Sequence, residues 1–123
     1  MQIELGTNAI VHLVVGDADT AISLGSGDVP VLGTPRIVAL MEQAAVAALA
    51  GTLGDGDTSV GTRISVDHLA ASPVGAAVTA RAEVVGLDGR AVSFRLTVDE
   101  GERQVATGDH VRFVVDRGRF LGR

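Results

Sequence analysis

Cysteine, lysine, tryptophan and tyrosine are all missing from this chain of 123 residues. Without cysteine there is neither a disulfide framework nor a thiolate metal site. Without lysine, all ten cations are arginines, set against 15 acids for a net charge of −5. Scattered arginines on an acidic chain do not form the clustered positive surface that a phosphate backbone requires, so nucleic acid is not an expected partner. Aromatic residues make up only 2%, which leaves Val, Ala, Leu and Ile to build the core. That favours strands together with a small-residue helix able to approach a sheet closely. No apolar run reaches the ~18 residues of a spanning helix, so no membrane partner is expected. The opening stretch "MQIELGTNAIVHLVVG" lacks both a basic region and a long apolar region, and therefore predicts no secretion leader and a cytoplasmic location.

What remains is rich in apolar residues (46%) and in glycine (16 residues). The length suits one domain spanning residues 1–123 with a single core. Residues 8–16 form a β-rich run. Residues 17–33 mix Asp, Gly, Ser and Pro, and predict a short strand over Thr20–Leu24 followed by a loop. Thr34-Pro35 marks a helix start, with Thr34 as N-cap and Pro35 at the first helical position. The helix is expected from Pro35 to about Ala50, stopping at Gly51. Its apolar residues cover nearly the whole circumference, which predicts a buried helix. Beyond residue 57 the period changes to two. Strands are expected over 58–70, 76–86, 91–99 and 103–116, with turns at Asp88-Gly89 and Glu100-Gly101. One buried helix and a meander of long strands predict an α+β hotdog fold, a curved antiparallel sheet wrapped around the helix. Such a sheet commonly pairs with a second copy, so a homodimer is expected.

One carboxylate interrupts the helix "GTPRIVALMEQAAVAALA" (33–50). Glu42 has Val38, Ala39, Ala45 and Val46 at its i±3 and i±4 positions, so no cation on its own helix pairs with it. Either it lies in an apolar cleft, where desolvation strengthens it as a base, or the helix has a narrow wet stripe, or an arginine from another strand meets it. Thr34 can be simply a cap, yet a helix N-terminus also favours developing negative charge. His68 ends a strand beside a Pro/Gly turn, where an imidazole suited to proton transfer near neutral pH can reach a cleft. His12 and His110 fall inside strands and read as structural or surface-facing.

Together, "GTPRIVALME", "SVGTRISVDHLAASPVG" and the late "GDHVRFVV" resemble the fluoroacetyl-CoA thioesterase-like family of the hotdog superfamily, over about Gly33 to Phe120. The shared features are the Thr-x7-Glu pair, the G-T-x-I-x-V-x-H strand and the P-x-G turn. The resemblance implies hydrolysis of a small acyl-CoA thioester with no metal or cofactor. By motif match it places the catalytic group on Thr34, Glu42 and His68, and assigns the carbonyl-binding backbone N–H to Gly61. Apart from the resemblance, Gly33 is a further candidate for substrate binding, and Arg36, Arg63 and Arg112 are candidates for the CoA phosphates. The segment before the helix, "ADTAISLGSGDVPVLG", holds no aromatic residue, whereas the fluoroacetate-specific lid is aromatic-rich. The resemblance therefore carries thioester hydrolysis and not the fluorinated acyl group. Two other functions fit the same residues: a non-catalytic module that binds an acyl-CoA or a small apolar ligand, and a dimerisation domain in which Glu42 meets an arginine across the interface. A hydratase reading lacks its Asp-x-Asn-x-x-x-x-His motif.

Overall fold

The computed structural model describes residues 1–122. Five strands, β1 (Asn8–Val14), β2 (Asp57–His68), β3 (Ala77–Asp88), β4 (Ala91–Glu100) and β5 (Arg103–Asp116), form one antiparallel sheet in the order β1-β3-β4-β5-β2. The long helix α2 (Thr34–Leu49) packs on one face of it, chiefly against β1 and β3. Inward residues of period two, such as Val78, Ala80, Ala82 and Val84 on β3 and Val92, Phe94, Leu96 and Val98 on β4, meet Ile37, Leu40, Met41, Ala44, Ala45 and Ala48 of the helix. The alanines on both surfaces let helix and sheet approach closely, and this is how a core with a single buried aromatic, Phe94, closes.

Two expectations need correction. The predicted strand over Thr20–Leu24 is the short helix α1 (Ala21–Leu24), preceded by a 3-10 turn (Asp17–Asp19). Local polar chemistry decides this: the Thr20 hydroxyl accepts from the Ser23 N–H, and Gly25 ends the helix with φ of 72°. The second correction concerns α2, which is not buried all round. Gln43 is exposed and Val46 is 50% exposed, while the buried face runs through Ile37, Leu40, Met41, Ala44, Ala45, Ala48 and Leu49. A small C-terminal helix, α3 (Arg117–Phe120), lies outside the expected elements.

The turns match expectation. The β3–β4 and β4–β5 hairpins turn through Gly89 (φ 59°) and Gly101 (φ 60°). The edge strand β2 pairs only with β5, leaving its other side open over its full length. It also carries an irregularity between Gly61 and Arg63, where Thr62 is the extra residue. No helix among the described residues is long and apolar enough to cross a membrane.

Candidate active site

The residues singled out from sequence form two groups, one on α2 and β2 and one on α2, β2 and β5. The first lies at the helix start. The N-cap of α2 is Gly33, and Thr34 occupies the first helical position, so the expected capping role passes to Gly33. A Cβ on Gly33 would come within 3.1 Å of the Ala21 backbone, and that close packing accounts for the glycine. Because the Thr34 hydroxyl is not used as a cap, it is free to share a 2.8 Å hydrogen bond with His68 Nδ1. Nε2 of His68 is buried with no hydrogen-bond partner among the described residues. An imidazole held by one nitrogen, with the other unpaired, is arranged to exchange a proton with a bound molecule.

The second group surrounds Glu42. Its Oε2 accepts a hydrogen bond of 3.1 Å from Arg112 Nη1 on β5. Of the readings of this carboxylate, the arginine from another strand is present, and so is a wet stripe, with Gln43 and Val46 exposed beside it. The Glu42 side chain is 40% exposed and that of Arg112 only 8%, so the pair has a wet end and a dry end. The guanidinium is held on all sides. Nε donates to Ser59 Oγ (2.9 Å), Nη2 to Ser59 O (3.1 Å), and Nη1 also to His110 Nε2 (3.1 Å). The Nδ1 of His110 lies 2.7 Å from the Arg63 carbonyl. That contact makes Nδ1 the protonated nitrogen and Nε2 the acceptor. His110 packs on Phe94 with ring centroids 6.0 Å apart, and its burial, aided by the Arg112 charge, pushes the imidazole below its ordinary value of 6.5. The imidazole near Glu42 is therefore His110, with Nε2 4.0 Å from Oε2, and not His68.

Gly61 closes the group from β2. A Cβ there would lie 2.6 Å from Glu42 Oε2 and 3.3 Å from Arg112 Nη1. The carboxylate thus rests against bare backbone, which only glycine permits. Beside it, Ala39, Glu42, Gln43, Val46, Ala47 and Arg112 line an open cleft of about 420 Å³. A dimerisation domain without a cleft next to Glu42 does not match this geometry, and the arginine that meets Glu42 belongs to the same chain. Of the remaining candidates, Arg36 donates its Nε to Asp19 (3.0 Å), Arg63 is exposed on β2, and Arg112 is committed to Glu42. Sequence reading placed Arg112 among the phosphate contacts and His110 among the structural residues. A signal for both existed: they share the inward phase of β5 with Ala106 and Val114, where a pair of polar residues requires a reason.

A curled antiparallel sheet holding one long helix, with the polar groups placed along helix and edge strand, defines a protein of the hotdog class. Comparison with known proteins agrees. The structure superposes on a hot-dog-like protein of Thermanaerovibrio acidaminovorans with TM-score 0.90 at 29% identity, covering 98% of this chain and 90% of that one. It superposes on the fluoroacetyl-CoA thioesterase FlK with TM-score 0.91 at 33% identity, covering 99% and 95%. The fluoroacetyl-CoA thioesterase of Streptantibioticus cattleyicolor is 40% identical over 90 residues, which is 73% of this chain and 65%, about two thirds, of the relative's length. The model of the FlK family, fluoroacetyl-CoA-specific thioesterase, matches residues 15–118, and the chain belongs to that family.

Proposed function

We propose that this protein hydrolyses a small acyl-CoA thioester to the free acid and CoA, as a homodimer whose sites are shared between two copies. The observation that carries this reading is the spacing of the two polar groups along β2. Gly61, against the Glu42 carboxylate, and His68, bonded to Thr34, are seven residues apart, about 20 Å of strand. Thr34 and Glu42 are eight residues apart on α2, about 12 Å of helix. Within one chain the carboxylate and the His68 imidazole are too far apart to reach one carbonyl carbon. Antiparallel pairing of the open β2 edge with its copy, centred between Ile64 and Ser65, sets Gly61 opposite the partner's His68. One thioester then meets Glu42 from one copy and the Thr34–His68 pair from the other. The same pairing satisfies the unpaired backbone groups of a 12-residue edge.

In that site the thioester carbonyl lies against the backbone of β2 near Gly61. Glu42 attacks the carbonyl carbon through its free oxygen, or removes a proton from the water that does. The C–S bond breaks, and His68 supplies the proton that the departing thiolate takes up. Water provides the second oxygen of the acid. The segment before α2 is aliphatic, with Ile22, Leu24 and Val29 exposed and no aromatic residue, so the proposed substrate is a small acyl-CoA with no fluoroacetyl preference assigned. The assay is a panel of short acyl-CoAs followed by free-thiol release. Turnover supports the reading, whereas intact thioester recovered from a bound complex makes the protein a binding module.

A further inference from the structure

Once Thr34, Glu42, His68 and Gly61 are given roles and Arg112 is seen to hold Glu42, one further buried ionisable residue near the reacting groups has none. His110 is 2% exposed, lies in the interior between α2 and the sheet, and bonds through both ring nitrogens. We propose that His110 is a positioning residue for the hydrolysis: its unprotonated Nε2 holds the Arg112 guanidinium in the orientation that keeps Glu42 Oε2 engaged and leaves the other carboxylate oxygen to the substrate. This rests on the thioesterase reading.

The geometry leaves little freedom. Arg112 Nη1 carries two hydrogens, one directed at Glu42 Oε2 and one at His110 Nε2, each at 3.1 Å. The Arg63 carbonyl takes the Nδ1 proton of the imidazole, which fixes Nε2 as the acceptor. Ser59 holds the far side of the guanidinium through Nε and Nη2. Without the Nε2 acceptor, one Nη1 hydrogen loses its partner in a nearly dry site. The guanidinium then tilts to give both hydrogens to the carboxylate and draws in the oxygen that should face substrate. A histidine serving only to fill space needs neither the fixed tautomer nor the contact with Nη1.

The test compares two amides of different reach in the full-length protein. In His110→Asn the side-chain amide occupies the Nδ1 position and still bonds the Arg63 carbonyl, but offers Arg112 Nη1 no acceptor in place of Nε2. In His110→Gln the amide oxygen reaches the Nε2 position and accepts again. The expected result is a fall in kcat of about tenfold or more for Asn, with KM changed less than about twofold, and recovery to within about threefold of wild type for Gln. In an Arg112→Ala background, His110→Asn adds no further loss. A second readout does not depend on turnover. Nitrogen-15 NMR of the ring shows the Nδ1–H tautomer, and the Arg112 Nη resonances are resolved in wild type, averaged in Asn and resolved again in Gln. Equal kcat in wild type and Asn overturns the proposal, as does an Nε2–H tautomer. If wild type releases no thiol from any acyl-CoA, the thioesterase reading fails instead, and the NMR comparison still decides whether His110 holds Arg112.

Discussion

Thr34 and His68, 34 residues apart in sequence, share a hydrogen bond of 2.8 Å that joins the first turn of α2 to the last residue of β2. Because Gly33 takes the N-cap position, this hydroxyl is not needed to start the helix. Its removal should therefore cost activity more than stability. Thr34→Val, which keeps the shape and loses the hydroxyl, is expected to lower kcat by about tenfold to a hundredfold, while urea unfolding shifts by less than about 1 kcal/mol. A large stability loss with unchanged kcat would make the hydroxyl structural.

Gly61 has no space for a side chain. The Cβ of Gly61→Ala would lie 2.6 Å from Glu42 Oε2 and 3.1 Å from His110 Cε1. The carboxylate is half open to solvent and can swing outward, so the fold is expected to lose only about 1–2 kcal/mol. Turnover is expected to fall by about a hundredfold, since Glu42 leaves its seat. Thiol-release kinetics alongside denaturant melts separate the two effects.

The buried imidazole makes stability depend on pH. Glu42 on α2, Arg112 on β5 and the Arg63 carbonyl on β2 face it, while Phe94 on β4 adds no charge. Burial is the largest cause of its lowered value. The unfolded chain therefore binds more protons than the folded one between the folded value and 6.5. The contribution is complete above 6.5 and is lost as pH falls below it. Urea midpoints should decline from about pH 6.5 downward in wild type, and this part of the decline should be absent in His110→Gln.

The proposed sharing of each site between two copies predicts that an intact site can be rebuilt from two broken chains. Glu42→Gln and His68→Ala are each expected to be inactive as homodimers. After subunit exchange, half of the dimers are mixed, and each of these regains one intact site. About a quarter of wild-type activity should return. No recovery, with exchange verified by mass spectrometry, would mean that each site lies within one chain.

Much of the fold is legible in the sequence. The helix start at Thr34-Pro35 and the period-two strands are local patterns, and local patterns fix α2 and β2–β5 to within a few residues. Thr20–Leu24 misled because its alternation is short, and the Thr20 and Ser23 hydroxyls outweigh it by closing a helical turn. The pairing of Glu42 with Arg112 could not be read because it spans 70 residues and depends on register. Only once Gly61 is known to pair with Arg112 across β2 and β5 does the arginine come to lie beside the glycine that seats the carboxylate. The wet side of α2 was missed because Val46 and Ala47 look like core residues while lining the cleft.

The central claim is that the Glu42 carboxylate carries the chemistry, and Glu42→Gln tests it most directly. Glutamine keeps the size of the side chain and can still accept from Arg112 Nη1, so the fold should remain intact. With the best short acyl-CoA of the panel, thiol release is expected to fall by at least about a hundredfold. A Glu42→Gln protein that turns over at the wild-type rate would place the reaction elsewhere in the molecule.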